Sequence, residues 1–430
     1  MHRIQVGLIG YGTVGSGVIQ FLNRRKNFIK NRFHTEFVLK TLCDRSLQNK
    51  NTTGLEKTYL TSNFQEVLDD PKIDVVIELI GGMDIAKKIV AGALKRGKHV
   101  ITANKELIAN NGKELFQLAK KYKAQLYFES SVGAGIPIIK TITEGIVGNK
   151  FSSLYGIING TCNFILTEMT QHNRTFTEAL QEAQKRGFAE GDPTLDINGM
   201  DSTHKLAILV YLAFGKFIKV NEIYTEGITQ ISHDDIEHAE SLNLTIKLLA
   251  IAKRVNNDIE ARVHPTLISK DHPLASINNI YNAIYLYAEP LGDLLISGQG
   301  AGQMTAASGV VSDLINFATK EPKSKLLCNL FDEATHLKVR KIDQIKTKFY
   351  IRFMATDKPG VLSKITGILG KHGISINSVT QKAHNPTLAV PVVMLTDYAT
   401  EKMLRLALRQ IQSLSIVKSK PVAIRMEKLW

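Results

Sequence analysis

Cysteine is scarce in this chain, with three residues among 430. Cys43, Cys162 and Cys328 stand far apart and show no metal-binding spacing. This distribution argues against a disulfide framework and against a structural metal held by cysteines. We therefore expect free thiols in a reducing compartment.

Long apolar runs are also missing. No run in the sequence approaches the ~20 apolar residues that are needed to cross a bilayer. The N-terminus leads directly into a predicted strand at Arg3–Ile9, without the pattern of a signal peptide. We therefore expect a cytoplasmic protein with no membrane partner.

Acidic residues are fewer than basic ones, 40 against 54, which gives a formal net charge of +14. A basic excess is compatible with nucleic-acid binding, but the lysines and arginines are spread along the chain. No helix-turn-helix, zinc or aromatic-platform motif accompanies them. We expect no nucleic-acid partner and prefer anionic small-molecule ligands. A hydrophobic content of 44% predicts two or three globular domains in a chain of this length.

A glycine fingerprint follows the first predicted strand. The motif is Gly10-x-Gly12-x-x-Gly15, and a helical pattern continues over Val14–Leu22. In this context the first glycine allows a tight turn, the second lets the backbone approach a pyrophosphate, and the third lets the helix pack on the strand. The N-terminus of the helix would face the anion. The sequence therefore predicts a dinucleotide site.

The second predicted strand, Glu36–Cys43, ends at Asp44 and Arg45. An acid at this place binds the ribose 2′-hydroxyl of NAD, whereas an arginine accommodates the 2′-phosphate of NADP. Since both residues are present, the choice between NAD and NADP stays open. For Arg45, a surface charge in a strand-end turn is the alternative.

Strand and helix patterns alternate through the first part of the chain. Further predicted elements are Ile73–Ile80, Ile85–Arg96, His99–Thr102 and Gln125–Phe128. This alternation predicts a Rossmann-type, doubly wound parallel sheet. Lys105 follows the carboxyl end of a strand, where such sheets bind ligands, so it is a candidate for contacting cofactor or substrate. A solvated lysine at a helix start is the alternative.

The stretch Gly187–Lys205 concentrates charged side chains ahead of an apolar helix. Its members are Glu190, Asp192, Asp196, Asp201 and Lys205. Turn dipeptides predict a loop and then a helix from about Met200, on which Asp201 and Lys205 share a face. The apolar run Leu206–Phe214 predicts that this helix is buried, so Lys205 would need an acidic partner to stay protonated. A solvated surface ion pair is the alternative.

Periodic segments in the middle of the chain predict an α+β domain. They are Ser153–Ile158, Phe164–His172, Thr177–Arg186, Asp258–His264 and Ala283–Tyr287, with a polar segment at Asn159–Asn163. The glycine-rich Gly298–Gly302 then leads into a helix at Met304–Phe317.

The C-terminal part of the chain predicts the order βαββαβ, which is a ferredoxin-like module. Its predicted elements are Phe349–Ala355, Val361–His372, Ile374–Gln381, Leu388–Leu395, Thr400–Ile411 and Ile416–Met426.

The predicted domain limits follow from these patterns. Residues 1–130 form the NAD(P)-binding domain, and the helix at 303–318 is expected to return to it. Residues 131–302 form the substrate domain, 319–348 a connector, and 349–430 the ferredoxin-like module.

Several long motifs, in order along nearly the whole chain, resemble those of homoserine dehydrogenases with a C-terminal ACT domain. The motifs are Gly10–Gly15, Val75–Gly82, Thr102–Lys105, Glu129–Pro137, Asn159–Thr161, Gly187–Lys205 and Gly298–Gly302. The resemblance implies the reversible reduction of L-aspartate 4-semialdehyde to L-homoserine with NAD(P)H, on the route to threonine, isoleucine and methionine. It also implies that the substrate domain dimerises.

The resemblance further implies roles for individual residues. Lys205 would be the proton donor, with Asp201 and Lys105 as its catalytic neighbours. The substrate would be held by Glu190, Asp196 and Asp201. The cofactor contacts would be Gly10, Gly12, Thr13, Val14, Gly15, Arg45, Lys105, Gly187 and Gly302. A sodium ion would be held by Glu129 and by the backbone carbonyls of Val132, Ala134 and Ile136.

Two departures from the family pattern are present. Cys43 stands where many relatives have arginine, so we expect both NADH and NADPH to be used, with Arg45 tilting the balance toward NADPH. Met304 replaces a proline at the last glycine-rich helix, and we expect this to be tolerated.

The ACT resemblance implies a homodimer or homotetramer inhibited by L-threonine. A module that only dimerises is the alternative, because a fold alone does not establish a function. For the whole chain, a different oxidoreductase of similar build and a non-catalytic nucleotide-responsive regulator are the competing hypotheses. The carboxylate-rich stretch ending at Lys205 argues against the regulator.

Overall fold

The computed structural model describes residues 1–319, 337–381 and 389–428. Most of the predicted connector 319–348, including Cys328, lies outside these residues, as does the first residue of the predicted strand Leu388–Leu395. The chain divides into two compact units. One consists of Met1–Ser152, His204–Val220 and Asn282–Leu337, and the other of Ser153–Thr203, Asn221–Tyr281 and Lys338–Trp430.

The first unit begins with a parallel sheet. Its strands are β1 His2–Ile9, β2 Thr35–Cys43, β3 Tyr59–Thr61, β4 Val75–Glu78, β5 His99–Thr102 and β6 Leu126–Tyr127. The helices between them are α1 Thr13–Phe33, α2 Phe64–Asp69, α3 Asp84–Lys95 and α4 Lys105–Lys121. The strand order is β3-β2-β1-β4-β5-β6. Because the order reverses between β1 and β4, a ligand crevice lies beyond the carboxyl ends of these two strands.

The predicted Rossmann-type sheet is confirmed, and its central strands explain why. Val75, Val76 and Ile77 of β4 are completely buried, as expected where helices cover both faces of a parallel sheet. Helix α1 is longer than the predicted Val14–Leu22. Its second half is mostly polar and buries Ile29, so the apolar pattern stops before the helix does.

The middle of the chain contributes to both units. Its strands are β7 Lys150–Ile157, β8 Tyr224–Thr225, β9 Leu244–Val255, β10 Asp258–Ser269, β11 Tyr281–Glu289 and β12 Gly292–Gln299. Its helices are α5 Ile138–Lys140, α6 Gly160–Gln171, α7 Phe176–Lys185, α8 Thr194–Ile197, α9 Met200–Phe214, α10 His233–Ser241 and α11 Gln303–Thr319. Strands β9 and β12 were not predicted. The polar segment at Asn159–Asn163 is the first turn of α6, because Asn159 caps that helix.

Helix α11 packs against α1 within the first unit. Gly17 of α1 lies against Gln303 and Ala307, where a Cβ atom would come within 2.8 Å of the Gln303 side chain. Val310, Val311 and Leu314 of α11 belong to the same core as the β1 side chains.

The C-terminal module has the predicted order βαββαβ. The elements from residue 338 onward are β13 Lys338–Val339, β14 Lys346–Thr356, α12 Val361–Lys371, β15 Ile376–Thr380, β16 Ala389–Thr396, β17 Ala399–Thr400, α13 Glu401–Gln412 and β18 Val422–Met426. The last strand was predicted from Ile416, but it begins at Val422, directly after Pro421. Strand β14 lies between β16 and β18 and is antiparallel to both.

The sheet of this module continues into the substrate domain within the second unit. Strand β18 pairs in parallel with β10, with Thr266 opposite Arg425 and Leu267 opposite Met426. Strand β10 is in turn antiparallel to β9 along its whole length. The C-terminal module is therefore joined to the substrate domain by main-chain hydrogen bonds, which the sequence did not predict.

Candidate active site

The glycine loop after β1 is shaped by close backbone packing. Gly10 has a φ of +104°, and a Cβ there would lie 2.6 Å from the carbonyl oxygen of Leu79. A Cβ on Gly15 would lie 2.1 Å from the Gly10 oxygen, whereas one on Gly12 would meet nothing within 4 Å. The turn therefore packs tightly against the sheet at Gly10 and Gly15. It leaves space at Gly12, where the pyrophosphate of a ligand can come close to the protein backbone. Thr13 and Val14 begin α1 beside this opening.

A cleft of about 450 Å³ lies beyond the carboxyl ends of the strands. Its lining includes Cys43, Asp44 and Arg45 after β2, and Ile80, Gly81 and Gly82 after β4. Two residues predicted at a ribose site therefore line one cleft. Arg45 is exposed.

The Asp44 carboxylate accepts hydrogen bonds on both oxygens. The Tyr11 amide and the Lys50 ammonium donate to Oδ2, each at 2.7 Å. The amide and the hydroxyl of Ser46 donate to Oδ1 at 2.8 and 2.9 Å. Although burial opposes ionisation, these donors, led by Lys50, hold the pKa of Asp44 well below its usual range. Asp44 is therefore a firmly ionised carboxylate.

Lys105 is the first residue of α4 and is half-buried. The preceding residue, Asn104, caps the helix by accepting from the Leu107 amide, and its side-chain NH₂ donates to the Gly82 carbonyl at 2.7 Å. The start of α4 is thus tied to the loop that lines the cleft.

Glu78 supports the same loop and was not among the predicted site residues. It is completely buried, and it accepts from the Ile80 amide at 2.8 Å and from the Thr102 hydroxyl at 2.6 Å. Burial raises its pKa to about 7. An acid within an apolar strand is the sequence signal that marks this residue.

In the second unit, Asn159 brings two predicted substrate residues together. Its side-chain NH₂ donates to Asp196 at 2.7 Å and to Asp201 at 2.8 Å, while its Oδ1 caps α6. Thr161 and Cys162 of the same turn donate to the carbonyls of Phe188 and Asp196. The first turn of α6 therefore holds the stretch before α9. Asn159 belonged to a recognised motif, but its role as a bridge was not predicted.

Helix α9 begins at Met200, as predicted, and carries Asp201 and Lys205 one turn apart. The two residues are 4% and 8% exposed, so the alternative of a solvated surface ion pair is excluded. The preceding stretch contains the short helix α8 in place of a continuous loop. Asp192 lies just before this helix and accepts from the amide and hydroxyl of Thr194.

Glu190 and Gly187 lie on the exposed part of this stretch. The structure does not bring the Glu190 side chain into the Asn159 cluster: within the described part of the chain, no hydrogen bond or ion pair engages its carboxylate. Gly187 follows the end of α7 with a φ of +73°. In the first unit, Gly302 immediately precedes α11 and its carbonyl accepts from the Ala306 amide.

Glu129 is the centre of a buried polar group in the first unit. Its two carboxylate oxygens accept from the amides of Ile139 and Lys140 at 2.8 and 3.0 Å. Its own amide donates to Asp313 of α11, and the Lys140 ammonium lies 3.2 Å from that carboxylate. Burial and the charge of Asp313 raise the pKa of Glu129 to about 8. This group has more negative charge than Lys140 can balance.

The loop after Glu129 contains the three residues predicted to offer carbonyl oxygens. Val132, Ala134 and Ile136 are all buried, and the backbone is left-handed at Gly133 and Ala134. Within the described ranges, no three His, Cys, Asp or Glu side chains are grouped to hold a metal ion. A cation here would therefore depend on backbone oxygens and one carboxylate.

Among the residues that the structure describes, no helix has the length and apolar character that a bilayer crossing requires.

Comparison with known proteins identifies three matching regions. Residues 10–129 match the family model described as the NAD-binding domain of homoserine dehydrogenase, residues 137–315 match the homoserine dehydrogenase model, and residues 349–415 match the ACT domain model. A homoserine dehydrogenase from Pseudomonas aeruginosa is 39% identical over 435 residues, covering 100% of both chains.

Solved structures give the same result. A homoserine dehydrogenase from Thiobacillus denitrificans has a TM-score of 0.90 and 39% identity over 99% of each chain. A hyperthermophilic archaeal homoserine dehydrogenase in complex with NADPH has a TM-score of 0.64 and 28% identity, and covers 74% of this chain and 99% of its own.

Proposed function

Because the chain belongs to the homoserine dehydrogenase family, we propose that the start of helix α9 carries its proton donor and part of its substrate site. The family's enzymes are NAD(P)-dependent oxidoreductases, and their reaction is the reversible reduction of L-aspartate 4-semialdehyde to L-homoserine. The observation that supports the residue roles is the Asn159 side chain, which binds Asp196 and Asp201 at the start of a buried helix.

Lys205 handles the proton of the reaction. The bound nicotinamide cofactor supplies the hydride. Reduction of the aldehyde leaves negative charge on its oxygen, which a protonated lysine stabilises and then neutralises by donating its proton. Asp201, one helical turn earlier, favours the protonated lysine. In the oxidation direction a neutral Lys205 accepts the hydroxyl proton of homoserine.

Carboxylates bind the amino group of the substrate. Asp196 and Asp201 are oriented by the side-chain amide of Asn159, and their carboxylates would bind the ammonium group of the substrate. Glu190 is exposed and would complete the site on substrate binding. Lys105, at the start of α4, would contact the cofactor and the substrate.

The cofactor is a nicotinamide dinucleotide. Its pyrophosphate would lie at Gly10, Gly12 and Gly15, where the N-terminus of α1 favours an anion. Further contacts would come from Thr13, Val14, Gly187 and Gly302. The adenosine ribose would lie near Asp44 and Arg45, which line one cleft. Both NADH and NADPH would be used, with NADPH slightly favoured because Arg45 would bind the 2′-phosphate.

A sodium ion fits the Glu129 group. The carboxylate is buried with too little positive charge around it, and sodium prefers oxygen ligands such as carboxylates and carbonyls. Glu129 with the carbonyls of Val132, Ala134 and Ile136 would hold the ion. Its contribution would be to fix the loop between Glu129 and α5.

The ACT module would bind L-threonine in a homodimer or homotetramer. Asp357 to Gly360 lead into α12, whose first amides can receive a carboxylate, and Asn377 of the neighbouring strand β15 is exposed and can accept from an amino group. Threonine would inhibit by binding one arrangement of the oligomer more tightly, with a coupling of ~1–3 kcal/mol.

One set of assays tests these proposals. Oxidation of NADH and of NADPH is followed with aspartate semialdehyde, with and without threonine. We expect turnover with both cofactors and inhibition by threonine that is weakened in Asn377→Ala. Absence of turnover with either cofactor would contradict the activity. Insensitivity to millimolar threonine, without a shift in melting temperature, would contradict the regulatory role alone.

A further inference from the structure

Asp44, the acidic residue at the predicted ribose site, already accepts hydrogen bonds from other groups of the protein. Asp44 accepts four hydrogen bonds, two from Tyr11 and Lys50 on Oδ2 and two from Ser46 on Oδ1. A carboxylate offers about four acceptor positions in total. Asp44 therefore has little capacity left to accept from the hydroxyls of an adenosine ribose, which is the usual role of an acid at this place.

Lys50 also changes the charge of the site. Its ammonium lies 2.7 Å from Asp44, and the two side chains are 27% and 12% exposed, so the pair is sheltered from solvent. Without Lys50, Asp44 would place an uncompensated negative charge in the cleft, and such a charge rejects a phosphorylated ligand. With Lys50 and Arg45 together, the end of β2 carries two cations and one anion.

The position of Lys50 is fixed by contacts with the glycine loop. The Tyr11 hydroxyl donates to the Asn51 carbonyl at 3.0 Å, and the Lys50 ammonium lies 6.0 Å from the centre of the Tyr11 ring. The Lys50 amide donates to the Leu47 carbonyl. The segment after β2 is therefore bound to the pyrophosphate loop, and Lys50 has a defined place beside Asp44.

We propose that Lys50 is a specificity-determining residue, which admits NADPH by occupying and neutralising Asp44. The cleft then does not repel the 2′-phosphate, and Arg45 is available to bind it. Lys50 acts through Asp44, so it is a positioning residue and not a catalytic one. The proposal rests on the proposed function in one respect, since it takes the adenosine ribose to lie at the end of β2.

The test measures binding without turnover. Dissociation constants of NADPH and NADH are determined by titration calorimetry for the wild type, Lys50→Met, Lys50→Arg, Asp44→Asn and the double variant Asp44→Asn/Lys50→Met. We expect Lys50→Met to lower the preference for NADPH over NADH by about tenfold or more, because Asp44 becomes an unpaired acid. Lys50→Arg should keep the preference, since it retains the charge.

The double variant separates the proposal from a direct contact between Lys50 and the phosphate. If Lys50 acts through Asp44, removing both should return the cofactor preference to within about threefold of Asp44→Asn alone. A double variant as poor in NADPH binding as Lys50→Met would overturn the proposal, as would an unchanged preference in Lys50→Met.

A matched control removes the same charge from the opposite end of the sheet. Lys72 is exposed in the turn before β4, away from the carboxyl ends of the strands. Lys72→Met should leave the preference unchanged, and an equal effect in this variant would mean that only net charge matters, which contradicts the proposal. A failure of this inference leaves turnover intact, whereas a failure of the proposed function abolishes turnover with both cofactors.

Discussion

Two groups of buried charges, one in each unit, differ in the balance of acids and cations. In the first unit, Glu129 and Asp313 share Lys140, and burial raises the pKa of Asp313 to about 6 and that of Glu129 to about 8. In the second unit, Arg425 binds Glu401 at 2.6 Å and Glu226 at 2.7 Å. In the first group burial outweighs the single lysine and raises the pKa of both acids, whereas in the second Arg425 donates hydrogen bonds directly to both carboxylates.

The second group extends along β10 and β18. Arg262 lies between Glu260 and Glu427, and Lys253 also contacts Glu427. Although burial opposes ionisation, Arg262 and Lys253 hold the pKa of Glu427 below its usual value. Acids that accept directly from arginine therefore join parts of this molecule, whereas buried acids with a raised pKa mark a place that can receive a cation.

The largest expected effect comes from removing Lys205, the proposed proton donor one helical turn after Asp201. Lys205→Met should lower kcat by ~10² to 10⁴, the usual contribution of a positioned proton donor. The dissociation constant of NADPH should stay near that of the wild type. Steady-state kinetics and calorimetry check both quantities, with Lys185→Met, an exposed lysine at the end of α7, as the control. A variant that keeps more than about a third of wild-type turnover contradicts the assigned role.

The next largest effect comes from removing Arg425, which is paired with two acids in the second group. Arg425→Met should lower the free energy of unfolding by ~3–5 kcal/mol, because it leaves Glu401 and Glu226 without their cation. Urea denaturation at fixed protein concentration measures the change. Arg405→Met serves as the control, since Arg405 pairs with Asp343 on the surface and its loss should cost at most about 1 kcal/mol. Equal effects of the two substitutions would mean that burial does not distinguish these pairs.

A smaller effect concerns the pH dependence of stability that follows from Glu129 and Asp313, the two buried acids with raised pKa values. An acid with a raised folded-state pKa stabilises the fold most below its unfolded pKa, and this contribution is lost as the pH rises through the folded value. For Glu129 the loss continues up to about pH 8. Above the pKa of Asp313, near 6, stability should therefore fall by up to about 1.4 kcal/mol per pH unit in sodium-free buffer.

Melting temperatures between pH 6.5 and 8.5, with and without sodium chloride, test this expectation. Sodium should reduce the fall, and Glu129→Gln should remove both the pH dependence and the response to sodium. Glu114→Gln, at an exposed ion pair with Lys87, should change neither. A sodium response that persists in Glu129→Gln would place the ion elsewhere.

The smallest effect concerns Arg45, which is exposed in the ribose cleft. Arg45→Ala should raise the KM for NADPH several-fold, equivalent to about 1 kcal/mol for one charge-assisted contact, and leave the KM for NADH nearly unchanged. Kinetics with the two cofactors measure the difference. If neither KM changes, Arg45 has no part in cofactor choice.

Local features of this chain were predictable from its sequence. The glycine fingerprint, the strands of the parallel sheet and the start of α9 depend on residue types that act over a few positions, such as Gly10 at a positive φ and the apolar run of β4. The burial of Lys205 also followed from the apolar run after it.

Contacts between distant residues were not predictable in the same way. Asn159 meets Asp201 across 42 positions, and the Glu129 amide meets Asp313 across 184. Neither contact produces a periodic pattern in the sequence, because each contact depends on how the helices and strands pack in the folded chain. The pairing of β18 with β10 was not predictable for the same reason, because the sequence of each strand does not indicate a partner in the other domain.

The pairing of β18 with β10 limits how the C-terminal module can be exchanged between enzymes. Removing residues after Lys348 would strip β10 of a hydrogen-bonded neighbour and leave an open sheet edge, which is prone to intermolecular association. It would also leave Asp235 and Arg262 without Arg352 and Glu427. A chimera that transplants a different sensory module would therefore need a last strand that matches Arg425 and Glu427 and a strand β14 that matches Arg352. The graft would have to follow the pairing surface and not the sequence boundary.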